Sequence, residues 1–341
     1  MSHLRVGLIG CGFISRSHLT GWQGVEDAQV VAVCDVNHGR AEARAAEYGI
    51  GVIYPDYRAM LAAERLDIVD LATPAHTHRG IVEAAAAGCH ILCQKPFAET
   101  LVDACAMADA AECHRVTLMV HQNFRWRFPY PTIRHAIVTG LIGTPFYGRI
   151  TQRIGYMLPR PDDGRVPGLE NQPQYRNQQR LITFEMALHH VDLTRYLFGE
   201  PESVYAQIRN IAPYTAGDDC VHITLRYGRV IALVDDSWCS PGLPVGEGCR
   251  VEGDHGVLSW DGAQLLLAQD GRPPQPLPPV AGDGVRDEGA VFSAVQRSFV
   301  SCLRTGAIPP TSGRDNLRTL AAVLACYDSA EQKTIIPLLQ D

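Results

Sequence analysis

The stretch TFEMALHHVD at residues 183–192 concentrates acids and histidines inside an apolar frame. Glu185, His189 and Asp192 lie at positions i, i+4 and i+7, so a regular α-helix would place all three on one face. A histidine beside a carboxylate can act as a general base near neutral pH. The face therefore indicates proton transfer, a metal site or a polar surface, and the rest of the chain must decide.

A metal site is the weaker interpretation of this stretch. His189 and His190 are adjacent, so on a helix they point apart and do not easily share one ion. We therefore expect no bound metal. A metal-dependent hydrolase or lyase that uses Glu185, His189, His190 and Asp192 stays open until chelation excludes it. His190 is expected to serve packing or solvent contact.

A second set of residues is suited to binding phosphate. The apolar run at residues 5–9 ends in the turn GCGFIS at 10–15, and helical character follows. Gly10 permits a tight turn, Gly12 lets a pyrophosphate approach the backbone, and the small Ser15 lets the helix pack close to the strand. The helix N-terminus adds amide donors. The residues predicted to contact a dinucleotide cofactor here are Gly10, Gly12, Phe13 and Ile14.

An acid follows the second apolar strand. Residues 30–34 end in Asp35, about twenty residues past the glycines, where a carboxylate binds the ribose hydroxyls of adenosine. A carboxylate there repels the 2′-phosphate of NADP, so NAD is the expected cofactor and NADP the less favoured one. Arg40, a few residues further on, keeps that preference moderate.

Length and composition limit the class of protein. The 341 residues suggest two domains, and 46% hydrophobic with 20% charged residues is a globular composition. The net charge of -7 argues against a nucleic-acid partner, and no apolar run is long enough to span a membrane. The first residues lack the features of a secretory signal, and the eleven cysteines include no Cys-x-x-Cys pair. We therefore expect a reducing, cytoplasmic environment.

Strands and helices alternate along the first third of the chain. This alternation predicts a parallel sheet covered on both faces, and it stops after residue 121. We therefore predict an NAD-binding domain at 1–122 and a substrate-binding and oligomerisation domain at 123–341. Within the second domain, β-rich runs between residues 202 and 267 predict one largely antiparallel sheet.

Two turns of the first domain carry polar residues at the carboxyl ends of strands, where open α/β sheets bind ligands. The strand at 68–72 ends in Thr73-Pro74, with His78 close behind, and the strand at 90–93 ends in Gln94-Lys95-Pro96. A lysine ammonium at a strand end can hydrogen-bond a substrate oxygen and stabilise the negative charge that develops there. Lys95 is therefore a candidate catalytic residue.

These motifs, in this order, resemble those of the Gfo/Idh/MocA family of dehydrogenases, named for glucose-fructose oxidoreductase and inositol dehydrogenase. The resemblance covers nearly the whole chain and includes Asn123-Phe124-Arg125 with Pro129, GLIG at 140–143, the helix at 183–199 and the segment from Pro310 to Tyr327. It implies an α/β protein with an N-terminal Rossmann doubly wound parallel sheet and a C-terminal α+β domain with a large, mainly antiparallel, open-faced sheet. Sheets of this kind pair across subunits in the family, so a homodimer or homotetramer is expected.

The resemblance also implies roles for single residues. Beyond the glycine turn and Asp35, it implies cofactor contacts for Thr73, Pro74, His78 and Lys95. The residues implied in catalysis are Lys95, His189 and Glu185. The residues implied in binding substrate are Lys95, Arg125, Tyr175, Glu185, His189 and Asp192. Tyr175 belongs to the polar segment 157–182, which helps cover the substrate in the family; Gln172 and Arg180 are further candidates, and a solvated loop is the alternative.

Two residues beside the expected chemistry depart from the family pattern. Gln94 stands where the family usually has Glu, which removes a negative charge next to Lys95. Glu185 stands where it usually has Asp, which lengthens the acid by one methylene. The departures put the geometry of Glu185 in doubt, but the roles of Lys95 and His189 carry over.

We expect NAD-dependent oxidation of a hydroxyl of a sugar or polyol, with an aldose oxidised at its anomeric carbon favoured. His189 would remove the hydroxyl proton, Lys95 would stabilise the oxygen, and Glu185 would orient His189 or bind a neighbouring hydroxyl. Two other functions stay open: a glycosidase that retains NAD and uses it transiently, and a non-catalytic NAD-linked sugar sensor.

Overall fold

The computed structural model describes residues 3–241, 246–269, 271–280 and 286–338. Contacts divide the chain into two compact units. The first comprises Met1–Trp126 and Val285–Leu320, and the second comprises Arg127–Gly284 and Ala321–Asp341. Each unit is therefore built from segments that are far apart in the sequence.

The first unit is built on one sheet of six strands in the order β3-β2-β1-β4-β5-β6. All neighbouring strands are parallel, and the chain order reverses between β1 and β4. Such a reversal is the point at which open α/β sheets bind ligands. The strands are β1 (Leu4–Ile9), β2 (Ala28–Cys34), β3 (Ile53–Tyr54), β4 (Ile68–Leu71), β5 (His90–Cys93) and β6 (Leu118–Val120). The predicted Rossmann sheet is confirmed.

Helices connect these strands. They are α1 (Ser15–Gln23), α2 (His38–Tyr48), α3 (Tyr57–Ala63), α4 (His78–Ala85) and α5 (Leu101–Cys113), with short 3₁₀ turns at Ala75–Thr77 and Asn123–Trp126. Several begin at a side chain that accepts a backbone N–H, as Asn37 does for α2 and Thr100 for α5. The strands are apolar because both faces of the sheet are covered, and β4 is buried throughout. Its one polar residue, Asp70, is therefore unusual.

Helix α9 (Glu288–Thr305) belongs to the first unit, although it follows the second unit's sheet in the sequence. Its Val295 and Phe299 pack in one cluster with Val6 and Trp22. The sequence assigned all of 123–341 to the second domain, and the contacts differ from that division for residues 285–320. The division of function at residue 122 stays a prediction.

The second unit is built on a sheet of nine strands in the order β14-β13-β12-β11-β7-β10-β9-β8-β15. Strands β7 and β10 pair in parallel, and the other pairs are antiparallel. The predicted mainly antiparallel sheet is confirmed, although β7, β14 and β15 lie outside the predicted range 202–267. The strands are β7 (Pro145–Arg153), β8 (Ser203–Arg209), β9 (Cys220–Tyr227), β10 (Val230–Ser237), β11 (Glu247–Gly253), β12 (Gly256–Trp260), β13 (Leu265–Ala268), β14 (Gln275–Pro276) and β15 (Ile336–Pro337).

The second unit contains the helices α6 (Tyr130–Val138), α7 (Pro167–Asn171) and α8 (Leu188–Phe198), and α10 (Gly313–Gln332) ends in this unit. Helix α8 contacts β7 and β10 of the nine-stranded sheet, and α6 packs against α8. Strand β10 alternates buried Val230, Ala232 and Val234 with more exposed side chains, as a sheet with two different faces requires. In the described part of the chain, no helix is long and apolar enough to cross a membrane.

The helix predicted at 183–199 is not regular. Residues Thr183–Ala187 form a π-helical turn, with the Leu188 N–H bonded to the Thr183 carbonyl, and the α-helix begins only at Leu188. A π turn is wider than an α turn. The shared face of Glu185, His189 and Asp192 was predicted from regular α-helical spacing, so it stays a prediction at this irregular start of the helix.

A buried acid explains where this turn begins. The Asp218 carboxylate accepts the N–H groups of Leu181 and Thr183, each at 2.8 Å, and the Tyr327 hydroxyl at 3.1 Å. The Asp218 carbonyl also accepts the Ile182 N–H at 2.8 Å. The start of the turn is thus fixed by a residue far away in sequence, which helical spacing alone cannot reveal.

Candidate active site

The glycine turn after β1 has the geometry that a dinucleotide phosphate requires. Gly10 has a φ of +98°, and a Cβ there would lie 2.6 Å from the carbonyl oxygen of Ala72, so only glycine fits. A Cβ at Gly12 would meet no atom within 4 Å, which leaves space beside the backbone. The Ser15 hydroxyl donates to the Gly12 carbonyl at 2.6 Å where α1 begins. These residues fit the pyrophosphate of NAD.

Asp35 joins the end of β2 to the glycine turn. Its Oδ2 accepts the Cys11 N–H at 2.7 Å, and its Oδ1 accepts the Asn37 N–H at 2.7 Å. The carboxylate thus lies beside the turn, where an acid can bind the ribose hydroxyls of adenosine. Phe13 is 59% exposed and Ile14 is half-buried. The individual cofactor contacts of these residues stay predictions.

His78 connects the two predicted ligand turns. Its ring is fully buried, with Nε2 2.8 Å from the Thr73 carbonyl oxygen and Nδ1 3.0 Å from the Phe97 carbonyl oxygen. Burial lowers the pKa of His78, and the carbonyl contacts oppose that shift. These contacts hold the turn after β4 against the turn after β5. The predicted contact of His78 with the cofactor stays a prediction, and the ring also holds the turns that contain Thr73, Pro74 and Lys95.

Lys95 lies directly after β5, and its side chain is half-buried. Its peptide bond to Pro96 is cis. The Lys95 N–H donates to the side-chain oxygen of Gln94 at 2.6 Å. The residue that departs from the family pattern therefore holds the backbone of the predicted catalytic lysine.

Arg125 is engaged within the first unit. Its Nη1 donates to the Pro310 carbonyl at 2.8 Å, and its Nη2 forms a 3.0 Å ion pair with Asp315. The guanidinium therefore ties the turn at Asn123–Trp126 to the start of α10. These contacts are structural, and the assignment of Arg125 to substrate stays a prediction without support from them.

In the second unit, Glu185 contacts the polar segment 157–182. Gln178 Nε2 donates to Glu185 Oε1 at 2.9 Å. Tyr175, only 4% exposed, stacks on Trp238 at 5.6 Å between ring centroids and accepts a hydrogen bond from Gln172 at 2.5 Å. Burial, followed by the charge of Glu185, raises the pKa of Tyr175 well above its usual value. The structure thus brings Tyr175 and Glu185 close together.

The polar segment itself is partly ordered into short helices rather than being one solvated loop. It contains α7 and a 3₁₀ turn at Pro173–Arg176. The guanidinium of Arg180 lies over the rings of Tyr327 and Phe184, at 5.5 and 5.9 Å from their centroids. Arg180 of the polar segment is therefore held in place by aromatic neighbours within the second unit.

The three polar residues at the start of α8 have different surroundings. His189 is buried but for a small part of its surface. His190 is fully buried, and its Nδ1 lies 2.8 and 2.9 Å from the two carboxylate oxygens of Asp236 on β10. The predicted packing role of His190 is confirmed, and the alternative of solvent contact was wrong. Asp192 is also buried, 3.7 Å from Arg195, which indicates that it anchors the helix; its substrate contact stays a prediction.

Three residues that hold other parts of the structure in place were not identified as important from the sequence: Gln178, Asp218 and Asp70. Gln178 was detectable only as one amide in a polar segment. Asp218 is the first of two consecutive acids before β9, and such a pair carries no specific signal. Asp70 was visible as a lone acid in the apolar run IVDLA, which marks a buried polar group without identifying its partners.

The described residues contain no set of side chains arranged to bind a metal ion. Among residues 3–241, 246–269, 271–280 and 286–338, no group of three or more His, Cys, Asp or Glu side chains is arranged to hold a metal ion. The acid and histidines at 183–192 are also divided by their contacts, because His190 is bound to Asp236. Proton transfer therefore remains the chemistry that this segment supports best.

Two family models match the chain. One, described as an oxidoreductase family with an NAD-binding Rossmann fold, matches residues 4–122. The other, described as the GFO/IDH/MocA C-terminal domain, matches residues 130–259. Together they cover most of both structural units.

Two of the known proteins that are similar to this chain are both named D-apiose dehydrogenase. D-apiose dehydrogenase of Paraburkholderia graminis is 39% identical, covering 97% of this chain and 88% of that protein. D-apiose dehydrogenase of Rhizobium rhizogenes is 31% identical, covering 97% of this chain and 96% of that protein. The crystal structure of an oxidoreductase from Agrobacterium radiobacter in complex with NAD⁺, L-tartaric acid and magnesium has a TM-score of 0.88 at 30% identity, covering 99% of each chain.

Proposed function

The chain belongs to the Gfo/Idh/MocA family of NAD-binding oxidoreductases, and from this premise we propose that it oxidises the anomeric hydroxyl of an aldose, with D-apiose the first candidate. It is an NAD-dependent oxidoreductase that acts on CH–OH groups, and its relatives are dehydrogenases of sugars and polyols. The observation that carries the choice of substrate is the 39% identity, over 97% of the chain, to a D-apiose dehydrogenase.

The chain's own residues divide the work as follows. His189 accepts the proton of the hydroxyl group as the carbon–oxygen double bond forms. The Lys95 ammonium hydrogen-bonds the same oxygen and stabilises its developing negative charge. Bound NAD supplies the acceptor for the two electrons and the hydrogen of the carbon. The hemiacetal carbon thereby becomes a lactone carbonyl.

Glu185 is assigned to a hydroxyl next to the reacting carbon rather than to His189. Gln178 holds one of its oxygens at 2.9 Å, and Glu185 lies at the start of the helix beside the polar segment 157–182. The Gln178 amide donates to the Arg180 carbonyl and to Glu185, so its carbonyl oxygen and the Glu185 carboxylate can both accept from adjacent hydroxyl groups of a sugar. This arrangement supports a polyhydroxylated ligand, and Glu185 becomes a substrate-binding group.

A substrate panel tests this function. The protein is incubated with D-apiose, other aldoses and inositols, each with NAD or NADP, and reduction of the cofactor is followed by absorbance. We expect the highest kcat/KM with D-apiose and NAD, and a lactone as the first product. A keto sugar as product would refute oxidation at the anomeric carbon. Hydrolysis of a glycoside without net NADH would indicate a cofactor-retaining glycosidase instead.

We also propose that the protein assembles as a homodimer or homotetramer through the nine-stranded sheet and acts in the cytoplasm. Support comes from Ile231 on β10, an apolar side chain that is 50% exposed on this sheet. All eleven cysteines are free thiols. Sedimentation equilibrium of the native protein is expected to give two or four subunits, and a monomer at micromolar concentration would contradict the proposal.

A further inference from the structure

A chain of buried polar side chains leads from the middle of the parallel sheet to the backbone of Lys95. It begins at Asp70, a fully buried carboxylate in β4. Asp70 Oδ2 accepts a hydrogen bond from Trp22 Nε1 at 2.6 Å and lies 2.9 Å from His18 Nδ1. Trp22 and His18 are both on α1. The sheet and the first helix are thus joined by one buried charge.

The next contact reaches the turn after β5. His18 Nε2 lies 3.2 Å from Gln94 Nε2, and Gln94 Oε1 lies 2.6 Å from the Lys95 nitrogen. Gln94 is only 5% exposed, so these are its interior partners. We call the connected set Asp70, His18 and Gln94 the buried relay.

The direction of every hydrogen bond in the buried relay follows from its two ends. The Lys95 N–H can only donate, so the Gln94 oxygen faces it and the Gln94 amide group faces His18. That amide donates, so His18 Nε2 accepts and His18 Nδ1 carries the hydrogen that is donated to Asp70. The contacts therefore allow one self-consistent arrangement of donors and acceptors, which fixes the plane of the Gln94 amide.

Neighbouring groups hold the His18 ring in this orientation. The rings of His121 and Phe292 lie against it, with centroids at 4.7 and 5.1 Å. Gln296 Nε2 donates to the His18 carbonyl at 3.0 Å. A buried carboxylate is costly unless its partners are in place, so the relay cannot rearrange without leaving Asp70 underbonded.

We propose that Gln94, His18 and Asp70 are positioning residues, which set the orientation of the Lys95 peptide and through it the aim of the Lys95 ammonium at the substrate oxygen. The inference rests on the proposed function for the role of Lys95. It also explains why an amide suits position 94, because an amide, unlike a carboxylate, can accept from the Lys95 N–H and donate to His18 Nε2 at the same time. An error of about 1 Å in the position of a catalytic group lowers turnover by about a hundredfold.

The test compares Gln94→Leu, Gln94→Glu and Ser293→Ala in the full-length protein. Gln94→Leu removes both contacts of the relay, whereas Gln94→Glu keeps the acceptor for the Lys95 N–H. Ser293→Ala is the matched control, because the Ser293 hydroxyl donates to the Gly21 carbonyl on α1 at 2.7 Å without touching the relay. Thermal unfolding of each variant shows that it is folded.

Two measurements separate positioning from general stability. Hydrogen exchange of the Lys95 amide is expected to rise at least about tenfold in Gln94→Leu, since its hydrogen bond is lost, and to stay unchanged in Ser293→Ala. With D-apiose and NAD, kcat is expected to fall at least about tenfold in Gln94→Leu, while the Kd of NAD stays unchanged. Gln94→Glu is expected to recover part of kcat. Ser293→Ala is expected to keep kcat.

The outcomes distinguish this inference from the proposed function. Unchanged exchange of the Lys95 amide in Gln94→Leu overturns the positioning role outright. Increased exchange with full kcat, in an enzyme that Lys95→Met inactivates, also overturns it. If Lys95→Met stays active while exchange rises in Gln94→Leu, the relay does position the Lys95 peptide and it is the catalytic role of Lys95 that fails.

Discussion

The glycine turn of the first unit and the Glu185 turn of the second are constructed in opposite ways. The glycine turn is local: Gly10, Gly12 and Ser15 lie within six residues, and backbone geometry alone explains each of them. The turn at Thr183–Ala187 is held from outside, by Asp218 at its start and Gln178 on Glu185. A local device can be deduced from sequence spacing. A turn held by distant residues can differ between relatives without any change in its own sequence.

The largest effect is expected from the glycine turn. Gly10→Ala introduces a Cβ at 2.6 Å from the Ala72 carbonyl oxygen at a φ of +98°. We expect a loss of about 1–3 kcal/mol in the free energy of unfolding, because the backbone must shift, and loss of NAD binding. Gly12→Ala is the matched control: its Cβ meets no atom within 4 Å, so the fold should keep its stability while NAD binding is blocked. Chemical denaturation measures the stability of each variant, and titration with NAD measures its cofactor binding. Equal stability losses in the two variants would contradict the distinct roles of the two glycines.

The Glu185 turn is tested by its distant support. Asp218→Ala removes the acceptor of two backbone N–H groups, and we expect about 2–4 kcal/mol lower stability together with a kcat at least about tenfold lower. Asp219→Ala is a close control, since its buried carboxylate accepts the N–H groups of Ile211 and Ala212 at 2.8 and 2.7 Å outside the helix. It should lower stability similarly and spare kcat. If both variants lose kcat equally, Asp218 has no special role at the turn.

A smaller effect is expected from the amide on Glu185. Gln178→Leu removes the 2.9 Å hydrogen bond to the carboxylate, so the KM for the sugar should rise several-fold while the Kd of NAD is unchanged. Gln174→Leu is the control, because its amide donates to Gln172 rather than to Glu185. Steady-state kinetics with the substrate varied will measure the change. A KM that rises equally in both variants would place Gln178 outside the substrate site.

Much of the first unit was predictable because its determinants are local. The glycine turn, Asp35 and the alternation of strands and helices are each visible in short windows of sequence. The rest depends on residues that only the fold brings together. Strand β7 was missed because Arg149, Thr151 and Arg153 make it polar on one face, and its parallel partner β10 lies far along the chain.

The predicted site residues illustrate the same limit. Arg125 was placed with substrate from a motif, but Asp315 engages its guanidinium from far along the chain. His78 was recognised beside its turn, but its second carbonyl partner, on Phe97, belongs to the turn after β5. Spacing identified which residues matter more reliably than it identified what each one touches.

The smallest effect is expected in the pH dependence of the free energy of unfolding, through the buried His121. Burial, then the nearby His18, lowers the pKa of His121 well below the usual 6.5. The unfolded chain therefore binds a proton below pH 6.5 that the folded chain does not, and stability falls as the pH drops through that range, by at most about 1.4 kcal/mol per pH unit for one group. His121→Phe should keep the ring contacts with His18 and Phe292 and make stability less sensitive to acid. Denaturation at several pH values below 6.5 tests this, with the exposed His38→Gln as control, and an unchanged slope in His121→Phe would refute it.

His189 is assigned as the base of an NAD-dependent sugar oxidation, and this assignment is the central claim about the site. The decisive experiment is turnover of D-apiose by His189→Asn, measured as NADH formation beside a separate titration of NAD binding. We predict a kcat lower by at least about a hundredfold with an unchanged Kd for NAD, because the proton acceptor is lost while the cofactor turn in the first unit is untouched. A kcat equal to that of the unmodified protein, with the cofactor still bound, would contradict the assignment.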